Sequence, residues 1–150
     1  ACSAPEPPAP PAFRAADAPI YSSAVLEEPR LTGHWVQVAT FAPGGKAGCE
    51  PGAVDIDAGQ LRWDLCLVDG RRSGAGPLRP GKPGRFAVDG MGDWWVLWAD
   101  GDYRTLVIGT PSGQFGFVLN RESALPADRL RAVRDIVRFN GYRAEDLAVF

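Results

Sequence analysis

The sequence predicts an all-β protein: an eight-stranded antiparallel up-and-down barrel with one C-terminal helix packed outside it. Three observations lead there. Gly 18 and Pro 14 are both abundant, and outside the N-terminal stretch they punctuate short apolar runs as turn residues do. Eight such runs follow one another in hairpin succession, and a meander of that kind hides its edges by closing on itself. A single amphipathic helical pattern comes after the last of them. At 150 residues the chain has the length of one domain with a real core.

The elements can be justified in order. Residues 1–19 hold six of the prolines and almost no apolar periodicity, so they read as an extended, disordered tether that precedes a domain over 20–150. Strands are expected at 33–41, 53–57, 60–68, 75–79, 84–88, 94–99, 103–109 and 115–121. Between them lie Ala58-Gly59, Asp69-Gly70, Pro80-Gly81, Asp89-Gly90, Asp100-Gly101 and Pro111-Ser112-Gly113, all hairpin chemistries. Leu61, Trp63, Leu65 and Leu67 alternate with Arg62, Asp64, Cys66 and Val68, which is a half-buried strand pattern. The Gly-rich stretch 71–83 gives the weakest strand signal. The helix is expected to open at Pro126, to bury Leu130, Val133, Ile136 and Val137, and to stop at Asn140-Gly141.

Composition excludes several function classes. The net charge of −2 gives no general attraction to nucleic acid or to an anionic membrane, and no run of 18 apolar residues exists to cross a bilayer as a helix. His34 is the only histidine, which removes multi-histidine metal sites and leaves a Ser-His or Cys-His mechanism no partner elsewhere. Asp55/Asp57 and Glu27/Glu28 lack any spacing peculiar to acid–base work. No catalytic residue, metal or cofactor is expected.

Three family signatures then occur in order. They are Gly33-His34-Trp35 in the first strand, Asp102-Tyr103 before the seventh, and Arg121 at the end of the eighth. With the helix and its Asn140-Gly141-Tyr142 exit, residues 26–147 resemble the lipocalins, and in particular their bacterial outer-membrane lipoprotein branch. The resemblance implies that Trp35 plugs the closed end of the barrel with the Arg121 guanidinium stacked across it. Gly101 stands where the family usually has Thr before Asp-Tyr.

The resemblance further implies a binding protein for a small apolar ligand such as a fatty acid or lysophospholipid, carried or scavenged in the lumen. Alternation makes Trp63, Leu65, Phe86, Trp94, Trp98 and Phe117 the candidates to face that ligand. Arg71 and Arg72, in the connection after the third strand, are candidates for an anionic head, or else two solvated loop residues. Two alternatives stay open: a lipid-modifying enzyme with an acid such as Asp64 or Asp100 inside the lumen, and a filled barrel with a structural or interaction role in the envelope.

Of the three cysteines, Cys49 and Cys66 flank the second and third strands. In an exported protein they are expected to form a disulfide at the barrel mouth; in a cytosolic one all three would remain thiols. Cys2, after Ala1 and before a Pro-rich run, resembles a bacterial lipoprotein junction. That implies a lipid anchor on the periplasmic face of the outer membrane, the other reading being a soluble periplasmic protein with an incidental cysteine.

Overall fold

The computed structural model describes residues 3–5 and 12–150; Cys2 and most of the expected tether lie outside the described residues. Among the described residues ten strands form: β1 (Gly33–Phe41), β2 (Ala53–Asp57), β3 (Gln60–Leu67), β4 (Gly70–Pro77), β5 (Arg79–Pro80), β6 (Arg85–Val88), β7 (Gly92–Ala99), β8 (Thr105–Gly109), β9 (Phe117–Asn120) and β10 (Leu147–Val149). An α-helix, α1 (Ala127–Phe139), lies between β9 and β10. The strands hydrogen-bond in the order β4-β3-β2-β1-β9-β8-β7-β6-β5, and β10 adds to β1. All pairings are antiparallel. The count exceeds the expected eight because a two-residue β5 precedes β6 and a short β10 extends β1 after the helix.

The barrel closes by side chains rather than by a ladder along one seam. β4 and β5 end the hydrogen-bonded order. Across the gap, Arg72 Nη2 of β4 donates to the Gly90 carbonyl after β6 at 2.6 Å.

The fourth strand corrects the sequence expectation most. It runs over Gly70–Pro77 instead of 75–79 and ladders with β3 along its whole length. Glycine is tolerated here for a packing reason. An added Cβ at Gly74 would stand 2.6 Å from the indole of Trp63, so the missing side chain makes room for the ring. β-propensity cannot register such a fit. The helix also starts one residue later than expected, with Pro126 as its cap residue.

Two apolar layers follow from strand alternation. The lumen layer includes Trp35, Leu61, Trp63, Leu65, Phe86, Trp94, Leu106 and Phe117. Outside, Val133 and Val137 of α1 pack on Val38, Ala39, Leu97, Val107 and Val118. β8 and β9 are therefore buried along their full length. Bulges in β1 and β7 fit this wall to the helix: Val38 and Ala39 are both in the outer layer, and so are Leu97 and Trp98.

The N-terminal segment corrects the tether boundary. Phe13 is buried in the outer layer, and Arg14 is only 4% exposed. Arg14 donates to the carbonyls of Asn140, Pro111 and Ala18, which binds the segment to the C-terminal end of α1. The expectation of disorder through residue 19 rested on composition. It overlooked one aromatic and one five-donor side chain able to satisfy three otherwise lone carbonyls.

Candidate functional site

The barrel has a built closed end and an open one. At the closed end Trp35 is fully buried and donates from Nε1 to the Leu31 carbonyl at 2.8 Å. The Arg121 guanidinium lies 3.6 Å from the Trp35 ring centroid. It also donates to the carbonyls of Tyr103, Thr32, His34 and Arg30. Gly33 has φ +120°, and a Cβ there would meet Arg121 at 2.8 Å, so glycine is needed both for conformation and for space. Tyr103 accepts the Glu27 N–H on its hydroxyl and carries Arg30 over its ring.

Asp102 is placed differently from the expectation. Its side chain is 76% exposed, with Arg104 at 3.7 Å. The closing carboxylate is Asp100, which accepts the backbone N–H groups of Arg104 and Thr105 at 2.5 and 2.8 Å and Arg104 Nε at 2.7 Å. Burial disfavours its charge. The hydrogen bonds from Thr105 and Arg104 outweigh that and hold the carboxyl below its ordinary value of 3.8. No local motif nominates Asp100, since an Asx turn bonds the N–H two residues on, whereas these bonds reach four and five residues on.

A depressed folded pKa means that stability from Asp100 is present above the unfolded pKa and lost as pH falls through the folded one. We expect Asp100→Asn to lower neutral stability by about 1–3 kcal/mol. It should also flatten the loss of stability below about pH 4. Urea midpoints measured from neutral to acid pH check both.

The open end gathers the connections after β1, β3, β6 and β8. There lies a cavity of about 530 Å³ lined by Leu67, Val68, Met91, Pro111 and Phe115, with Asp69, Arg72, Asp93, Thr110, Ser112 and Gln114 supplying polar atoms. Aromatic rings fill the lumen below. Phe115 stacks on Phe117 with centroids 6.2 Å apart, Trp94 meets Phe117 edge-on at 5.1 Å, and Trp63 meets Trp94 at 6.5 Å. Trp63, Leu65, Phe86, Trp94 and Phe117 all belong to this packed layer, each no more than 4% exposed. The cup is thus a shallow space at the mouth, and its walls come mostly from loop residues, which strand alternation could not nominate, with Leu67, Arg72, Gly92 and Asp93 added from strand ends.

Three candidate positions need correction. Trp98 packs in the outer layer, because the β7 bulge interrupts alternation between Val96 and Trp98. Arg71 and Arg72 belong to β4, not to a loop, since the turn after β3 is only Val68-Asp69. On a strand the two must face opposite ways. Arg71 points outward to Asp64 at 2.9 Å and the Glu50 carbonyl, whereas Arg72 lines the cup with Asp69 at 3.8 Å.

Polar structure fixes the mouth. Cys49 and Cys66 form a disulfide with Cα atoms 5.6 Å apart, closing a loop whose entropy contributes about 3 kcal/mol. Gln37, which the sequence did not single out, is 1% exposed. Its Oε1 accepts the N–H groups of Gly52 and Cys66 at 3.0 and 2.8 Å, and its Nε2 donates to the Cys66 carbonyl at 2.7 Å. On the far side, the Tyr142 hydroxyl accepts the Thr110 N–H and lies 2.7 Å from the Phe115 carbonyl, to which it donates. Burial pushes this phenol up to about 12, so it keeps its proton.

The comparisons agree with this architecture. A family model described as a lipocalin-like domain matches residues 82–150. No curated protein sequence matches the chain. Among solved structures, lipocalin 12 from rat epididymis superposes with TM-score 0.64 at 13% identity, covering 88% of this chain and 90% of its own. The siderocalin Ex-FABP, described as functioning through dual ligand specificities, gives 0.59 at 16% identity, covering 81% and 93%. Lobster apocrustacyanin A1 gives 0.56 at 16% identity, covering 93% and 91%. At such identities the likeness is one of fold: the chain has the lipocalin fold, as an antiparallel, nearly closed barrel with one helix.

Proposed function

We propose that this protein binds a small apolar ligand in the cup at the barrel mouth, as a carrier or scavenger without catalysis. One observation carries the reading: a space of about 530 Å³, with Leu67, Val68, Met91, Pro111 and Phe115 as its apolar wall and polar residues at its rim, opens at the one end of the barrel that Trp35 and Arg121 do not seal. That volume lies within the range of small-molecule sites. A fatty acid or lysophospholipid suits the chemistry, since each methylene removed from water contributes about 0.8 kcal/mol. The aromatic layer beneath limits how far a chain can enter, so the tail's end would be held in the cup while the rest lies across the rim. An anionic head would find one guanidinium there, that of Arg72.

The enzyme alternative named Asp64 and Asp100. Asp64 is half-exposed on the outer face with Arg71, and Asp100 serves the closed end, so neither supplies an acid to the cup. The packing of Trp63, Trp94 and Phe117 favours a second reading, a filled barrel with a structural or interaction role in the envelope. Titration with a fluorescent fatty acid and with a neutral dye separates the two. Arg72→Glu should weaken the fatty acid about ten-fold or more, the equivalent of one charge-assisted hydrogen bond. The dye should be unaffected, and Arg71→Glu should change neither. Absence of any saturable binding would favour the filled barrel.

The proposal extends to place. A lipid anchor at Cys2, on the periplasmic face of the outer membrane, is supported by the Ala1-Cys2-Ser3 junction and the prolines after it. The Cys49–Cys66 disulfide is in keeping with an oxidising compartment. The intact mass of protein extracted from its own cells tests this: an acylated N-terminus is expected, and an unmodified Cys2 would contradict it.

A further inference from the structure

The chain is acidic as a whole, at −2, yet α1 carries Arg129, Arg131, Arg134 and Arg138 against Asp128 and Asp135. These arginines differ in what they do. Arg129 turns to the barrel and donates to Thr105 and Asn120. Arg131, Arg134 and Arg138 recur at spacings of three and four, so they share one flank of the helix over about 10 Å. With Ala127 and Leu130 they line a shallow surface groove. Arg138 is 3.5 Å from Asp135, and among the described residues Arg131 and Arg134 form no ion pair. At the C-terminal end of the same helix stands an unburied aromatic pair. Phe139 is 68% and Tyr21 53% exposed, with ring centroids 5.6 Å apart.

Neither feature is needed for the cup or for the closed end. We propose that this arginine flank, with Phe139 and Tyr21 beside it, docks the barrel side-on against a bilayer bearing anionic phospholipid. Guanidiniums meet phosphates in bidentate fashion, and an aromatic ring suits the headgroup depth. A cationic helix flank with apolar residues beside it is the composition of an interfacial helix. Position supports the same partner. The N-terminal segment joins the barrel at the same end of α1, where Ala15 N–H bonds the Gly141 carbonyl and Arg143 Nη2 bonds the Ala12 carbonyl at 2.6 Å. From Ala12 back to Cys2 an extended chain reaches about 30 Å, so whatever holds Cys2 lies within range of this face.

The docking goes beyond ligand binding and is testable without the anchor, using the full chain with Cys2→Ser, which has no thiol to acylate. Its partition should be measured by co-sedimentation with phosphatidylcholine vesicles, with and without one-third phosphatidylglycerol. Binding is expected only to the anionic vesicles and should be lost at high salt. Combining Arg131→Gln, Arg134→Gln and Arg138→Gln should weaken it about 100-fold, at about five-fold per charge. Lys46→Gln, Arg62→Gln and Arg79→Gln together lower net charge equally on other surfaces and should leave most of the binding. Near-UV circular dichroism verifies that both triple variants fold. Equal losses in the two triples, equal binding to neutral and anionic vesicles, or retention on nucleic acid but not on anionic vesicles would each overturn the proposal.

Discussion

Gln37→Leu should destabilise the protein by about 2–6 kcal/mol, since it strands two buried N–H groups at about 1–3 kcal/mol each. The side-chain amide does the work of a missing strand. Where β2 has not yet begun, at the disulfide, the Gln37 amide bonds Gly52 and both backbone groups of Cys66. Thr40 would still cover the Cys66 carbonyl at 2.9 Å, so the two N–H groups account for most of the loss. For a chain of this length each kcal/mol lowers the thermal midpoint by about 2–4 °C. A calorimetric scan at neutral pH should therefore show a drop well beyond that of an ordinary surface substitution. A change within about 0.5 kcal/mol would mean that these groups find other partners. The variant also bears on the site, because Gln37 steadies the end of β3 from which Leu67 enters the cup.

Trp63→Ala should cost about 3–5 kcal/mol, the range for removing a large buried aromatic. Trp63 is 3% exposed, lies against the glycine face of β4 and packs edge-on with Trp94. No side chain on β4 can collapse into the gap at Gly74 or Gly76, so the void should persist. The expected signature is a large fall in urea midpoint without weaker binding of a neutral dye, because the ring is beneath the cup and not in its wall. Loss of dye binding in a variant that remains folded would place the ligand deep in the lumen.

The fold was legible because turns and alternation are local. Ala58-Gly59, at φ 49° and 76°, makes the tight hairpin that an Ala-Gly pair suggests, and it sets Asp57 opposite Gln60. The register it fixes brings Cys66 level with the approach of Cys49. β4 was misjudged because its stability comes from β3 and from the Trp63 ring, neither visible in a Gly-rich window. The facing of Trp98 was lost to a bulge, since one extra residue reverses every later assignment on a strand. Phe13 and Arg14 were hidden in a proline-rich composition, and their partners lie about a hundred residues away in sequence. The cup was the least legible feature. Its walls come from three connections, and only closure of the barrel brings Leu67, Met91, Pro111 and Phe115 together.

The most direct test of the account is calorimetric titration of a neutral apolar dye into the native protein and into Gln114→Trp. Gln114 lines the rim from an exposed loop position, so an indole there should occupy the mouth without disturbing the packed rings beneath. We predict one saturable site in the native protein and its loss in the variant, with the unfolding midpoint unchanged. Equal binding by both proteins, or none by either, would contradict a ligand site at the mouth of this barrel.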